Sequence, residues 1–271
     1  MSVENESDNN LNSPNSLFGE GSFSKVIKTK KVGVNECSTT PNCTGCKECV
    51  VAVKKLMWVF CDYDQLERES TIHAKLNHPN IVKFYHVVDH NSMAIEPCFG
   101  GTLEQKGNIS LHKARKYMRD ILAALEYMHD INIAHLDVKP LNCLLGDNDR
   151  VKLCDFGSAS EMYESGQCTL RSGTPEVSPP ETAYEYVTCG SGRCIDVWAA
   201  GVTFIYLLLG RYPWKSTRYM NDSYNDWKSE KGEIYTALKK KSSFAFGIIV
   251  KMLDKTPCKR PYCWEVLSWL M

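Results

Sequence analysis

The sequence predicts an α+β chain folded as two lobes: a small strand-rich N-terminal lobe with one helix, then a larger, mainly helical C-terminal lobe. Three observations carry this. Short β-branched and alternating apolar runs crowd the first third, a turn-rich connector, "EPCFGG", follows, and beyond it apolar residues recur at helical spacing. At 271 residues and 43% hydrophobic content, the chain can bury a sizeable core as one large domain or as two lobes.

In chain order, "MSVENESDNNLNSPNS" is polar and acidic and lacks the basic, apolar and small-residue order of a signal peptide. It reads as a disordered tail over residues 1–15. "SLFGEGSFSKVIKTKKV" combines glycines with apolar residues at Phe23, Val26 and Ile27, which predicts a strand, a tight turn and a second strand. The β-branched run "CVVAVKKLMWV" is a third strand. "YDQLERESTIHAKL" places Leu66, Ile72 and Leu76 at helical spacing, and "NHPN" stops that helix. "IVKFYHVV" and "SMAIEP" are two further strands.

The second lobe opens with "SLHKARKYMRDILAALEYMHDINIAHL", a long amphipathic helix with Ala114, Tyr117, Ile121, Leu125 and Met128 along one face. The apolar run Val197 to Leu209 is shorter than the roughly 20 residues that span a bilayer, so it reads as a buried helix. No internal repeat is visible.

Thirty-two basic residues balance thirty-two acidic ones, so no global field draws the chain to nucleic acid or anionic lipid. Thirteen scattered cysteines without a secretory signal favour reduced thiols. The expectation is an intracellular monomer, cytoplasmic with the nucleus left open, that engages neither nucleic acid nor membrane. Four of the cysteines, Cys37, Cys43, Cys46 and Cys49, sit in an insertion-like loop. Two readings of that loop stand: a metal site, although C-x-x-C-x-x-C spacing strains a tetrahedron, or a reduced, redox-prone surface loop.

The chemistry-bearing residues recur in a set order. Gly19 and Gly21 lack side chains, so backbone N–H groups there can approach a phosphate. Lys54 lies in a predicted strand, where an ammonium can meet phosphates, and Glu69 lies on the next helix, where it can pair with Lys54. His135, Asp137, Lys139 and Asn142 form H-x-D-x-K-x-x-N, and Asp155 opens D-F-G. Taken singly, most of these have bland explanations, such as a glycine-rich hairpin, a solvated lysine or a surface glutamate.

Together they resemble a eukaryotic protein kinase of the Ser/Thr type, from about Leu17 to the end of the chain. "GTPEVSPPE" is similar to the kinase GTPxxxAPE segment, "DVWAAG" to DVWSxG, and "KRP" to the closing arginine motif. "HLDVKP" also resembles the Mos and Wee/Myt groups without fixing a subgroup. The resemblance implies a two-lobed kinase domain over residues 16–271, with an N-lobe at 16–97 and a C-lobe at 98–271.

By resemblance, the function is transfer of the γ-phosphoryl group of ATP to protein Ser/Thr hydroxyls, with Mg2+. Asp137 would orient the attacking hydroxyl, Lys139 would offset charge, and Lys54 held by Glu69 would position phosphates. Asn142 and Asp155 would hold magnesium. Gly19, Gly21, Ser22, Val26, Ala52, Lys54, Ile95, Glu96, Cys98 and Leu144 would line the nucleotide site, with Glu96 and Cys98 offering backbone hydrogen bonds to adenine. Thr174 would bond near Asp137 and Lys139, Glu181 would pair with Arg260, and Asp196 would brace the catalytic loop.

Two departures stand out. Ser24 replaces the third glycine of the loop, and Leu136 replaces the arginine that in most kinases receives an activation-loop phosphate. Two rival functions remain at this level. A pseudokinase scaffold must explain why Lys54, Glu69, Asp137, Asn142 and Asp155 are all retained, and a small-molecule kinase would not be expected to carry "GTPEVSPPE" and "DVWAAG".

Overall fold

The computed structural model describes residues 17–20, 24–30, 50–56, 64–171, 173–183, 187–218 and 221–271, with backbone register alone up to residue 50. The predicted tail, the four-cysteine loop, Gly21 and Ser22 lie outside these residues. The chain forms two compact units: the first runs to Ala74 and takes in Lys83–Pro97, and the second comprises Lys75–Val82 and Cys98–Met271.

In the first unit, β1 (Leu17–Glu20), β2 (Ser24–Lys30), β3 (Val50–Leu56), β4 (Phe84–Asp89) and β5 (Ser92–Ile95) form one antiparallel sheet in the order β1-β2-β3-β5-β4. The register sets Gly19 opposite Val26, Val26 opposite Lys54, and Lys54 opposite Met93, while Ala52 faces Ile95. Helix α1 (Asp64–His73) packs against β4 and β5.

The buried face of α1 is Leu66, Glu69, Ser70 and His73, three of them polar. The predicted helix extended to Leu76, yet the last turn ends at His73 because the following residues bond to the second unit. Asn80 Nδ2 donates to the carbonyl of Val151, Leu153 N to that of Asn80, and Val82 N to that of Leu153. Residues 75–82, expected in the N-lobe, therefore belong to the second unit. The strand predicted from Ile81 begins only at Phe84 for the same reason.

The second unit is built around α2 (Leu111–Asp130) and α3 (Gly192–Leu209), which pack on each other. Ser110 caps α2, its Oγ accepting from Lys113 N at 3.3 Å, and Ala114, Tyr117, Ile121, Leu125 and Met128 are all fully buried. The helix predicted through Leu136 stops at Asp130, because Asn132 turns left-handed (φ 57°) and Ile133–Ala134 enters β6. Helix α3 is long and apolar enough to cross a membrane, but 78% of its apolar window is buried in the fold, as a core helix.

Three two-stranded ribbons position the loops: β6 with β9 (Ser160–Glu161), β7 (Cys143–Leu145) with β8 (Val151–Leu153), and β10 (Gln167–Thr169) with β11 (Cys189–Ser191). Helices α4 (Asp222–Lys228), α5 (Gly232–Lys241), α6 (Ser243–Met252) and α7 (Cys263–Leu270) complete the unit. The expected division into a strand-rich region followed by a helical one is what the structure shows.

Candidate active site

In the first unit, Lys54 and Glu69 form a buried ion pair, Nζ to Oε1 at 2.6 Å, with side chains 8% and 2% exposed. Strand β3 presents the ammonium and α1 brings the carboxylate to it. A polar helix face is tolerated here because each charge is compensated by the other. Ala52 and Ile95, at 3% and 6% exposure, lie opposite each other in the same sheet. The N–H of Glu96 donates to Lys83 O at 2.8 Å, so that N–H is already committed within the first unit.

In the second unit, the fully buried Asp196 of α3 anchors the loop after β6. Its Oδ2 accepts from His135 N and from His129 Nε2, both at 2.9 Å, and its Oδ1 accepts from Leu136 N at 2.7 Å. Leu136 is held left-handed (φ 65°), a conformation costly for a branched side chain and enforced by those bonds. His135 then acts as a clasp. Its Nδ1 accepts from Asp137 N at 3.3 Å, so Nε2 carries the proton and donates to Cys154 O at 3.1 Å.

Asp137 projects from this loop at 7% exposure. Its Oδ2 accepts from Asn142 Nδ2 at 3.0 Å and pairs with Lys139 Nζ at 2.8 Å, while Oδ1 is buried with no hydrogen-bond partner among the described residues. Lys139 Nζ also donates to Thr174 Oγ1 at 2.6 Å, the expected link to the activation segment. Asn142 Nδ2 makes a second bond, to Asp137 O at 2.9 Å. With both amide hydrogens directed at Asp137, Oδ1 is the atom of Asn142 left to act as a ligand.

Cys143 of β7 faces Leu153 of β8, so Asn142 and Cys154 meet at the open end of the hairpin, where Cys154 N donates to Asn142 O at 3.0 Å. Asp155 follows directly, also left-handed (φ 64°), and Phe156, 1% exposed, lies 5.2 Å from the His135 ring. Burial pushes the Cys143 thiol far up, so it stays neutral beside Asn142. Leu144 is half-buried on β7 and bridges to Thr102.

An amide oxygen and a carboxylate are hard donors that suit magnesium. Among the described residues no group of three or more His, Cys, Asp or Glu could hold a metal, so the rest of a shell here would have to come from non-protein oxygens such as phosphates. The donor set fits magnesium bound together with a nucleotide.

His129 was not singled out from the sequence, since one histidine on an apolar helix face gives no pattern. Asn80 gave only a helix-stop signal. Both are found through partners distant in sequence, Asp196 and Val151.

The family model for the protein kinase domain matches residues 13–269, and the chain belongs to the protein kinase family. It is 28% identical over 266 residues to the serine/threonine-protein kinase polo of Drosophila melanogaster, covering 93% of this chain and 42% of that protein. It is 30% identical over 271 residues to 3-phosphoinositide-dependent protein kinase 1 of Arabidopsis thaliana, covering 90% of this chain and 50% of that protein. With the carbon catabolite-derepressing protein kinase of Candida albicans the identity is 31% over 263 residues, covering 93% and 39%. The chain thus spans half or less of the length of these relatives. A protein kinase domain implies ATP and a protein as its substrates.

Proposed function

We propose that this chain transfers the γ-phosphoryl group of ATP to serine and threonine hydroxyls of proteins. The observation that carries the reading is the network Asn142–Asp137–Lys139–Thr174, which leaves Asp137 Oδ1 buried and without a partner among the described residues. An incoming hydroxyl supplies the donor that this oxygen lacks, and Asp137 orients it and accepts its proton. Lys139 offsets the charge at that point and, through Thr174, ties the catalytic loop to the segment expected to bear the peptide.

Lys54, fixed by Glu69, holds the phosphates. Ala52 and Ile95 form an apolar surface suited to adenine, with Gly19 and Val26 aligned beside Lys54 by the strand register. Asn142 Oδ1 and Asp155 would hold magnesium, which when bound would supply a positive charge to offset the negative charge developing on the transferred group. The protein contributes position and electrostatics rather than a covalent intermediate. A binding-only scaffold has no use for this completed set.

The reading extends to an intracellular monomer. No disulfide forms among the described residues, which supports a reducing compartment. The test is phosphorylation of Ser, Thr and Tyr peptide libraries by purified protein with Mg-ATP, beside Asp137→Asn. Transfer to Ser/Thr that falls about 10²–10⁴-fold in the variant is expected. Transfer to tyrosine alone, or to choline or an aminoglycoside in preference to casein, overturns it.

A further inference from the structure

A cavity of about 450 Å³ in the second unit is lined in part by the activation segment. Gly173 and Pro175 line it on either side of Thr174, whose Oγ1 takes the hydrogen bond from Lys139. A peptide whose hydroxyl sits at Asp137 therefore runs over this cavity within a few residues, since an extended chain advances about 3.3–3.6 Å per residue. Leu136, Leu170, Val177 and Ile195 supply apolar lining, beside the hydroxyls of Ser178, Thr182, Thr188 and Ser216.

Among the described lining residues the charge is of one sign: Arg171 and Arg218 both line the cavity, and there is no aspartate or glutamate. Arg218 is oriented by its Nε, which donates to Ala183 O at 2.8 Å. Glu181, close by in sequence, is committed to Arg260. Arg171 is exposed, and a guanidinium there presents a planar fork matched to carboxylate and phosphate oxygens.

We infer that Arg171 is a specificity-determining residue, selecting substrates with a carboxylate or phosphate within a few residues of the acceptor hydroxyl, next to an apolar side chain that enters the cavity. This rests on the kinase reading above and names the substrate class of that same site. Arg218, which lines the same cavity, adds to the field.

The test uses peptides identical except for Asp, phosphoserine, Ser or Arg at each position flanking the acceptor. At one or more adjacent positions, Asp and phosphoserine are expected to raise kcat/KM about fivefold over Ser, the range of an exposed charge pair. Arg171→Ala brings the acid-to-neutral ratio to near one, and Arg171→Glu inverts it in favour of Arg. A phosphoserine effect well above that of Asp identifies phosphate as the preferred anion, whereas equal effects identify any carboxylate.

The ratio is the readout, so an overall change in turnover does not obscure it. Binding of the same peptides to Asp137→Asn, followed by fluorescence anisotropy, reads selection without catalysis. Equal treatment of acidic and neutral peptides by the native protein, or an acidic preference that survives both substitutions, overturns the inference. Absence of transfer to every peptide while binding still discriminates would instead count against the kinase reading.

Discussion

Leu136 of the catalytic loop and Leu170 of the activation segment pack against the same buried trio, Ala134, Met162 and Cys168. Burial pushes the Cys168 thiol up to about 12, so it serves there as an apolar group. The segment is further tied by β10 against β11 and by Leu170 N donating to Thr188 O at 2.8 Å. An apolar contact thus stands where an arginine would otherwise bind a phosphate.

Catalytic competence is therefore expected without activation-segment phosphorylation. Ser165 and Thr169 are exposed hydroxyls of the segment, but Leu136 offers no guanidinium, and Arg193 is engaged with His129 O at 2.7 Å. Protein stripped by phosphatase, and shown by mass spectrometry to be unmodified, should retain turnover within about twofold. A collapse restored by rephosphorylation would show that Arg171 has taken over the anchoring role. Leu170→Ala should cost about 1–2 kcal/mol, less than a fully buried leucine, and should lower turnover by loosening the segment.

The ion pair of Lys54 with Glu69 makes a second prediction. Lys54→Met should reduce phosphotransfer by about 10²–10³-fold by removing a fixed positive charge. It also leaves the Glu69 carboxylate buried without its cation, so a lowered thermal midpoint is expected with it. The double variant Lys54→Met/Glu69→Met should recover the midpoint but not the activity. Recovery of activity in the double variant would remove Lys54 from the mechanism.

Much of this was legible in the sequence because the signals are local. The α2 stripe from Ala114 to Met128 and the β-branched strands announce themselves by apolar period. The residues proposed for catalysis keep their order along the chain, and Thr174, Glu181 and Asp196 meet the partners expected of them. What escaped is polar and non-local. The inner face of α1 carries Glu69, Ser70 and His73, which no hydrophobic pattern reports, and its early end depends on Asn80 bonding to β8. His129 becomes visible only through Asp196, far along the chain.

His78 gives a pH-dependent stability. Burial first, then the charges of Lys152 and Arg150, lower its pKa, with Asp120 opposing. Its Nδ1 accepts from Asn80 N at 3.1 Å and its ring stacks on Tyr127, both suited to the neutral form. As pH falls through about 6.5 the unfolded chain takes up a proton that the folded chain refuses. The contribution of His78 is thus complete above that value and is lost progressively toward the folded pKa. Between pH 7 and 5.5 the native midpoint should fall more than that of His78→Asn. Parallel curves would show that His78 does not titrate differently on folding.

Arg260 is held by Glu181 through two bonds of 2.6 and 2.8 Å, by Cys194 O and Asp254 O, and by the Trp198 ring at 4.7 Å. Its side chain is fully buried, whereas that of Glu181 is 27% exposed. Glu181→Ala therefore strands a buried guanidinium and should cost about 3–5 kcal/mol, read as a lower urea midpoint at unchanged slope. A loss under about 1 kcal/mol would mean that the carbonyls alone satisfy Arg260.

Leu141 bears on substrate choice. It stands between Pro140 and Asn142 in the catalytic loop, 38% exposed, in a short turn whose other two residues are buried. An apolar side chain at this point, in the loop proposed to orient the acceptor, offers no carboxylate to an arginine in the substrate. A dominant arginine requirement upstream of the acceptor is therefore not expected. Leu141→Glu places a charge on an exposed position at little cost to stability and should create an arginine preference of about twofold to fivefold, sensitive to salt. A library scan of both proteins decides this. Strong arginine selection by the native chain, or none gained by the variant, would mean that upstream residues are read elsewhere on the second unit.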